Sequence, residues 1–296
     1  MTTTTGMPAS AGVTLPEFTW ALRSHVGAVR DGNEDFVGAY SPSVIEDHGP
    51  LFVVCDGMGG HAAGEVASRM AVETVLTTWT TASASPTQQA IRSAIRSANS
   101  AVFAASLDVE THGMGTTCTA LALSGHEGII GHVGDSRCYL VHHGQCSQLT
   151  ADHSRVGEML RMRLITPEQA VHHPSRSQLT RSLGGSPGVQ VDVVRTPIGR
   201  GDVLVLCSDG LWDLVSMQEI AHACAMPEVA EAAEQLIAWA LERGAPDNVT
   251  ALVVRVTGDL VQLGADKGRG GGMSFLQRLG LVRGPVKTEA PDDDLE

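Results

Sequence analysis

The sequence predicts an α+β protein in which two antiparallel sheets pack face to face with helices outside, a four-layer α-β-β-α sandwich. Two observations carry this. Apolar runs of strand length, rich in Val, Ile, Leu and Thr, follow one another directly, and the long helical stretches are grouped rather than alternating with strands, which argues against a doubly wound parallel sheet. With 296 residues, 43% of them hydrophobic and 18% charged, the chain can bury a sizeable core and is not wholly disordered.

In chain order the strand-like runs are FTWALRSHVG from Phe18, DFVGAY from Asp35, LFVVC from Leu51, TTCTALAL from Thr116 and GIIGHVG from Gly128. They continue with RCYLVHH from Arg137, VQVDVVR from Val189, DVLVLC from Asp202 and NVTALVVRV from Asn248. Each is bounded by Gly, Asp or Pro, the residues that end strands in turns. Helices are expected over Glu65 to Trp79 and Thr87 to Leu107, after the third strand, and over Glu228 to Arg243, before the last. In that last helix Val229, Ala232, Leu236 and Ala240 are spaced for one apolar face.

The regular pattern runs from residue 18 to about 257 with no Pro/Gly/Ser-rich break, which reads as one domain. The Thr-rich head, 1–17, is short of large apolar residues and is expected to be disordered. From 258 to 296 a Gly-rich linker leads to MSFLQRLGLV, in which Phe275, Leu276, Leu279 and Val282 form a short amphipathic stripe, and then to an acidic end. Ten residues are marginal as a free helix, so this tail is expected to be flexible. No basic, apolar leader and no run of membrane-spanning length occurs, so no membrane is expected. The six cysteines never fall in a C-x-x-C pair. They read as free thiols in a reducing cytoplasm. The net charge of −13 and the 4% aromatic content argue against nucleic acid as a partner. An acid excess of this size either aids solubility or serves metal.

One event recurs along the chain: an apolar run stops at an aspartate. LFVVC ends at Asp56-Gly57, GIIGHVG at Asp135-Ser136 and DVLVLCS at Asp209-Gly210, and Asp247-Asn248 opens the last strand. Any one of these alone is first of all a turn. Together they gather carboxylates at strand ends, where burial demands compensation that hard, oxygen-binding cations such as Mg²⁺ or Mn²⁺ supply. Arg30 lies just upstream of Glu34 and Asp35. An arginine beside a carboxylate-metal centre suits a phosphate ester, since its planar fork can hold two phosphate oxygens.

Arg30-x-x-Asn33-Glu34-Asp35, Asp56-Gly57-Met58-Gly59-Gly60-His61, Gly113-Met114-Gly115-Thr116-Thr117, Gly134-Asp135-Ser136-Arg137, Ser208-Asp209-Gly210-Leu211 and Pro246-Asp247-Asn248-Val249-Thr250 stand in this order. In them the chain resembles the metal-dependent Ser/Thr protein phosphatases, the PPM or protein phosphatase 2C family, and most of all their bacterial branch. The resemblance runs from about Thr19 to Val256. It implies a helix-flanked β-sandwich with a binuclear Mn²⁺ or Mg²⁺ centre at one end. Asp56 would bridge the metals, with the Gly57 carbonyl on one and Asp209 and Asp247 on the other. Glu34 and Asp35 would contact metal or hold its waters. A third, weaker metal would lie at Asp135, Asp209 and the backbone of Ser177, and Arg30 would grip the phosphate. The implied reaction is hydrolysis of phosphoserine and phosphothreonine on proteins, opposing a bacterial Ser/Thr kinase, by a monomer.

Met58 stands where eukaryotic members of the family carry a histidine proposed as general acid. His61 is the bacterial-type substitute; it either protonates the leaving group, orients water or caps the helix starting near Gly64. Between His153 and Gly188, Arg155, Arg161, Arg163, Arg176 and Arg181 outnumber Glu158 and Glu168. This segment matches the family's variable flap and reads either as a surface for the phosphoprotein or as a solvated Arg-rich helix. His142-His143 and His172-His173 lack metal-ligand spacing and read as surface histidines, the first pair pointing to opposite faces of a strand. Two other functions share these motifs: a phosphoesterase for small metabolites, and a non-catalytic regulatory module of the same fold.

Overall fold

Alternation of side chains along each strand builds two sheets, seen in a computed structural model that describes residues 18–41, 49–59, 63–82 and 86–258. One sheet contains, in spatial order, the chain's first strand β1 (Phe18–His25), then Val249–Val256, Val203–Cys207, Arg137–His142 and Gln145–Gln148. The other contains β2 (Asp35–Tyr40), β3 (Leu51–Met58), Cys118–Ser124, Glu127–Val133 and Asp192–Pro197, with a two-residue strand β4 (Gly115–Thr116) paired to the end of β3. In chain order those remaining strands are β5 (Cys118–Ser124), β6 (Glu127–Val133), β7 (Arg137–His142), β8 (Gln145–Gln148), β9 (Asp192–Pro197), β10 (Val203–Cys207) and β11 (Val249–Val256). Every pairing is antiparallel.

Three buried clusters fill the spaces between four layers. Phe52, Val54, Leu121, Ile130, Leu204, Leu206, Leu252 and Val254 lie between the sheets. The alternate residues Leu51, Val53 and Cys55 face α1 (Ala63–Thr81) and α2 (Thr87–Ala105). On the far side Val203, Val205, Cys207, Ala251 and Val253 face α7 (Val229–Glu242) together with Ile220 and Ala223 of α6 (Met217–Cys224). The α-β-β-α architecture is thus as the strand pattern predicts, and the three long helices fall within two residues of their expected bounds.

Four shorter helices escape the periodicity argument: α3 (Arg155–Arg161), α4 (Pro167–Val171), α5 (Asp209–Trp212) and α6. They are too short to show a stripe. Two of them are nevertheless signed by capping boxes, Thr166 with Gln169 and Ser216 with Glu219. The His142-His143 pair also differs from expectation. β7 ends at His142, and His143 and Gly144 turn into β8 with φ of 49° and 76°, as a two-residue hairpin requires. The rings meet at 4.1 Å rather than pointing apart, and His142 Nδ1 lies 2.6 Å from Asp202.

Phe52 is fully buried between the sheets, edge-on to Phe18 and Trp20. Phe52→Ala is expected to cost about 3 to 5 kcal/mol of unfolding free energy, measured as a fall in the urea midpoint. A loss under 1 kcal/mol would mean that this interface is not the tight core described.

Candidate metal centre

The alternation that sends Phe52, Val54, Leu206 and Leu252 into the inter-sheet core continues past the apolar residues to one end of the sandwich. There the same rows deliver Asp56 from β3, Asp35 from β2, Ser208 after β10 and Thr250 from β11. Asp35 lies directly opposite Asp56 in the β2/β3 register, so both side chains leave the same face. Asp209 starts α5 immediately after Ser208, and Asp247 immediately precedes Asn248 and β11. Asp135 follows Gly134 at the end of β6.

Asp35 is buried and joins the sheets. Its Oδ2 accepts from the Ser208 hydroxyl at 2.7 Å and the Thr250 hydroxyl at 2.6 Å, both on the opposite sheet. Thr250 N–H in turn donates to Ser208 Oγ at 3.1 Å. The other oxygen, Asp35 Oδ1, is buried and accepts no hydrogen bond among the described residues. Burial first, then the charges of Asp209 and Asp247, pushes the Asp35 carboxyl up to about 7 against the Ser208 and Thr250 donors. Asp56 is held well above the carboxylate range by burial, then by Asp209, Asp35, Asp135 and Asp247. Burial and Asp247 raise Asp209 to about 6; burial and then Asp209 raise Asp135 to about 8.

The backbone around these acids is closely fixed. Asp56 N–H donates to Thr117 Oγ1 at 2.9 Å, and the Asp56 carbonyl accepts from the Thr116 hydroxyl at 2.8 Å. Gly57 N–H donates to the Glu34 carbonyl at 3.0 Å. A Cβ on Gly57 would collide with the Gly64 carbonyl, and one on Gly64 would fall 2.7 Å from a Glu34 carboxylate oxygen. The two glycines therefore let Glu34 lie against the first turn of α1, where a carboxylate meets the positive end of the helix. Burial raises the Glu34 carboxyl, opposed by Arg30. Asn248, 5% exposed, joins three segments: its Nδ2 donates to the Val26 and Gly32 carbonyls at 2.8 and 2.9 Å, and its Oδ1 accepts from Glu34 N–H at 2.8 Å.

Arg30 is half-exposed and donates to Asp247 Oδ2 at 2.8 Å. That hydrogen bond and the Asp247 charge raise its pKa against partial burial. The structure thus brings together Arg30, Glu34, Asp35, Asp56, Gly57, Asp135, Asp209 and Asp247. Ser177 is not brought in by any interaction among the described residues; it is exposed in a turn beyond α4. His61, the head and the tail lie outside the described residues. Sequence reasoning overlooked Ser208, Thr250, Thr117 and Asn248 as site residues. All four sit inside the quoted motifs, Ser208 and Asn248 directly beside an acid, and a nearby hydroxyl or amide is what a buried carboxylate needs.

The donor set suits hard divalent cations. It is all oxygen and of one sign, partly buried, with Asp35 and Asp135 buried, and it holds an acceptor oxygen, Asp35 Oδ1, with no hydrogen-bond partner among the described residues. Among the described residues no three His, Cys, Asp or Glu side chains converge closely enough to cage an ion unaided, and a cation that keeps several waters does not need them to.

The family model for protein phosphatase 2C matches residues 28–243. The chain belongs to this family. It is 40% identical over 238 residues to the serine/threonine protein phosphatase PstP of Mycobacterium tuberculosis, a match covering 80% of this chain and 45% of that one. The chain thus spans about half the length of that relative. The serine/threonine phosphatase of Listeria monocytogenes is 38% identical over 253 residues, covering 83% of this chain and 98% of its own. The crystal structure of the M. tuberculosis phosphatase, 39% identical, superposes with a TM-score of 0.72 over 81% of this chain and 99% of that one. Its catalytic domain in complex with two manganese ions, 37% identical, superposes at 0.71, covering 81% of this chain and 98% of that one. The protein phosphatase 2C fold accounts for the sandwich, and membership makes the acidic end of the sheets the place to look for metal.

Carboxyls raised by folding bind protons that the unfolded chain has already released. Between about pH 4 and 8 the metal-free folded state is the more protonated one, so its stability falls as pH rises through that window. The metal-free protein should therefore melt lower at pH 8 than at pH 5.5, and Mn²⁺ should remove most of the difference. Asp209→Asn should raise the pH 8 melting temperature of the metal-free protein by a few degrees, since about 1 kcal/mol is worth about 2 to 4 °C at this size. A lower melting temperature for the Asn variant would contradict the like-charge picture.

Proposed function

We propose that the chain hydrolyses phosphoserine and phosphothreonine on proteins with a water activated at a binuclear Mn²⁺ or Mg²⁺ centre. The observation that carries this reading is the gathering of Asp35, Asp56, Asp135 and Asp209 at one end of the sandwich, close enough to raise one another's pKa, beside a half-exposed Arg30. Asp56, Asp209, Asp247 and the Gly57 carbonyl would hold the pair of cations, and Asp135 with Asp209 a third, weaker one. When bound, such cations supply a water acidic enough to attack phosphorus near neutral pH.

The chain's own residues do the remaining work. Arg30 can exchange Asp247 for phosphate oxygens, which its fork fits in pairs. Asp35, fastened to Ser208 and Thr250, orients rather than reaches, and Glu34 flanks Arg30 from the start of β2. The departing serine or threonine alkoxide has a high pKa and needs a proton. His61 is the donor suggested by the sequence.

Phosphate release from a phosphothreonine peptide should require Mn²⁺ or Mg²⁺ and fall at least about a hundredfold in Asp209→Ala, as loss of even an indirect metal contact costs 10- to 100-fold. Release from small phosphate esters with none from the peptide would favour a metabolite esterase; release from neither would favour a regulatory module. His61→Gln should flatten the acid-donating limb of the pH-rate profile; an unchanged profile removes His61 from proton transfer.

The flap segment carries α3 and α4. Arg176 pairs with Asp213, Arg181 with Asp192, and Arg161 donates to the Asp152 carbonyl at 2.7 Å. Arg161 and Arg163 are exposed beside Met162 and Leu164, which are 64% and 65% exposed. This surface supports recognition of a phosphoprotein, an expected target or member of a bacterial Ser/Thr kinase system. The unpaired state of all six cysteines suits a cytoplasmic location, and residues 18–257 form the catalytic unit, acting as a monomer. Neutralising Arg161 and Arg163 should raise KM for a phosphoprotein about fivefold, two exposed charge contacts at about 0.5 kcal/mol each, and leave KM for a small aryl phosphate unchanged. Equal effects on both substrates would remove the flap from recognition.

A further inference from the structure

Asp135 depends on a turn that its own strand does not stabilise. Gly134, just before it, has φ of 111°, and a Cβ there would press on Thr117. The turn is clamped by other elements. Gly134 N–H donates to His153 Nδ1 at 3.0 Å, and His153 N–H donates back to the Gly134 carbonyl at 2.7 Å. From the other side Trp212, in the helix that Asp209 begins, donates its Nε1–H to the Asp135 carbonyl at 3.0 Å.

His153 is held as rigidly as the turn it holds. It is 2% exposed, and the His132 ring packs on it at 4.7 Å. Because Nδ1 accepts the Gly134 proton, the neutral ring carries its hydrogen on Nε2, where Asp192 Oδ2 at 3.2 Å receives it. Arg181 Nη1, 3.0 Å from the same nitrogen, then has nothing to donate to there. It donates to Asp192 Oδ1 at 2.7 Å and to the Gln190 carbonyl at 3.2 Å. The residues on either side of His153 extend the link. Asp152 accepts two bonds from Arg137, at 3.0 and 2.7 Å, and Arg137 stacks 3.5 Å over the Trp212 ring. Ser154 caps α3, accepting from Gly157 N–H at 3.1 Å.

We propose that His153 is a positioning residue for Asp135: its Nδ1 fixes the Gly134-Asp135 turn, and its place at the start of α3 makes the flap and that carboxylate move as one piece. This rests on the reading of Asp135 as a carboxylate of the reaction centre. Histidines and amides that orient such ligands typically govern metal affinity and activity by 10- to 100-fold.

The test uses the full chain. In the metal-free protein, long-range ¹H–¹⁵N spectra should show His153 as the Nε2–H tautomer with a hydrogen-bonded Nδ1, and the Gly134 amide should be protected from exchange. His153→Asn places an oxygen where Nδ1 was; His153→Gln reaches the Nε2 position and leaves Gly134 N–H without an acceptor. The Gln variant should lose Gly134 protection, bind Mn²⁺ about tenfold more weakly by calorimetry and lose about tenfold in kcat on a phosphothreonine peptide, with KM within twofold. The Asn variant should recover most of these losses. An Nδ1–H tautomer, or Asn as impaired as Gln, overturns the proposal; if the Gln variant fails to fold, the wild-type tautomer and the Asn variant measured against the wild type still decide it. Asp135→Asn separates the two readings. If it leaves Mn²⁺ binding and kcat unchanged, Asp135 is outside the centre and the proposal falls with that assignment. If it impairs both while His153→Gln behaves as the wild type, the proposal alone is wrong.

Discussion

Asp35 Oδ2, accepting from Ser208 and Thr250 across the gap between the sheets, is the contact on which the polar end of the sandwich depends. Two hydrogen bonds to a charged acceptor contribute about 1.5 to 3 kcal/mol each, and here they also set where the second sheet's strand ends lie relative to the first. Asp56 stands beside Asp35 in register, and Asp209 and Asp247 flank Ser208 and Thr250. Fixing those two hydroxyls on one carboxylate therefore fixes the spacing of acids contributed by both sheets. A metal centre assembled from one sheet alone would need no such clasp.

The strand pattern made most of this legible because the side-chain period is two in apolar and polar positions alike. The row that reads Phe52, Val54, Asp56 is one row, and the abrupt change from apolar to acid marks where the core meets water and cation. The same reasoning picks out Asp135, Asp209 and Asp247, while Asp35 enters through the charged cluster with Arg30 and Glu34. It missed the groups that hold them, because a serine or threonine in a strand reads as ordinary strand composition until its partner is known. Ser208, Thr117 and Asn248 acquire meaning only from residues 61 or more positions away. The short helices were lost for a different reason: four to eight residues cannot display a stripe, and the capping boxes of two of them are weak signals without one. Ser177 is a position carried over by resemblance alone. A backbone ligand has no side-chain requirement, so nothing in the sequence at Ser177 distinguishes it from its neighbours.

The basic flap also changes meaning once its ion pairs are seen. Arg176 and Arg181 each spend their charge on an aspartate, Asp213 and Asp192, that anchors the segment to the body of the protein. The surplus of positive charge counted along the chain is therefore unevenly available. What remains toward solvent is concentrated around Arg161 and Arg163, next to exposed apolar side chains. Presenting arginines, Arg161 and Arg163, come first in this stretch and the anchoring Arg176 and Arg181 follow, so the segment can be attached at its root while its outer surface stays open to a partner.

The crowding of buried carboxyls at the sandwich end has a consequence for how such a chain can change over generations. At Asp56, Asp135 and Asp209 the charged form is opposed by burial and by the other acids, so replacement by a neutral isostere removes repulsion without opening a cavity. Ordinary core positions are guarded by the folding penalty of their loss. Asp56, Asp135 and Asp209 are not guarded in this way, whereas Asp35 is, through its two hydrogen bonds to the other sheet. Stability of the metal-free fold alone therefore gives no reason for these acids to stand together.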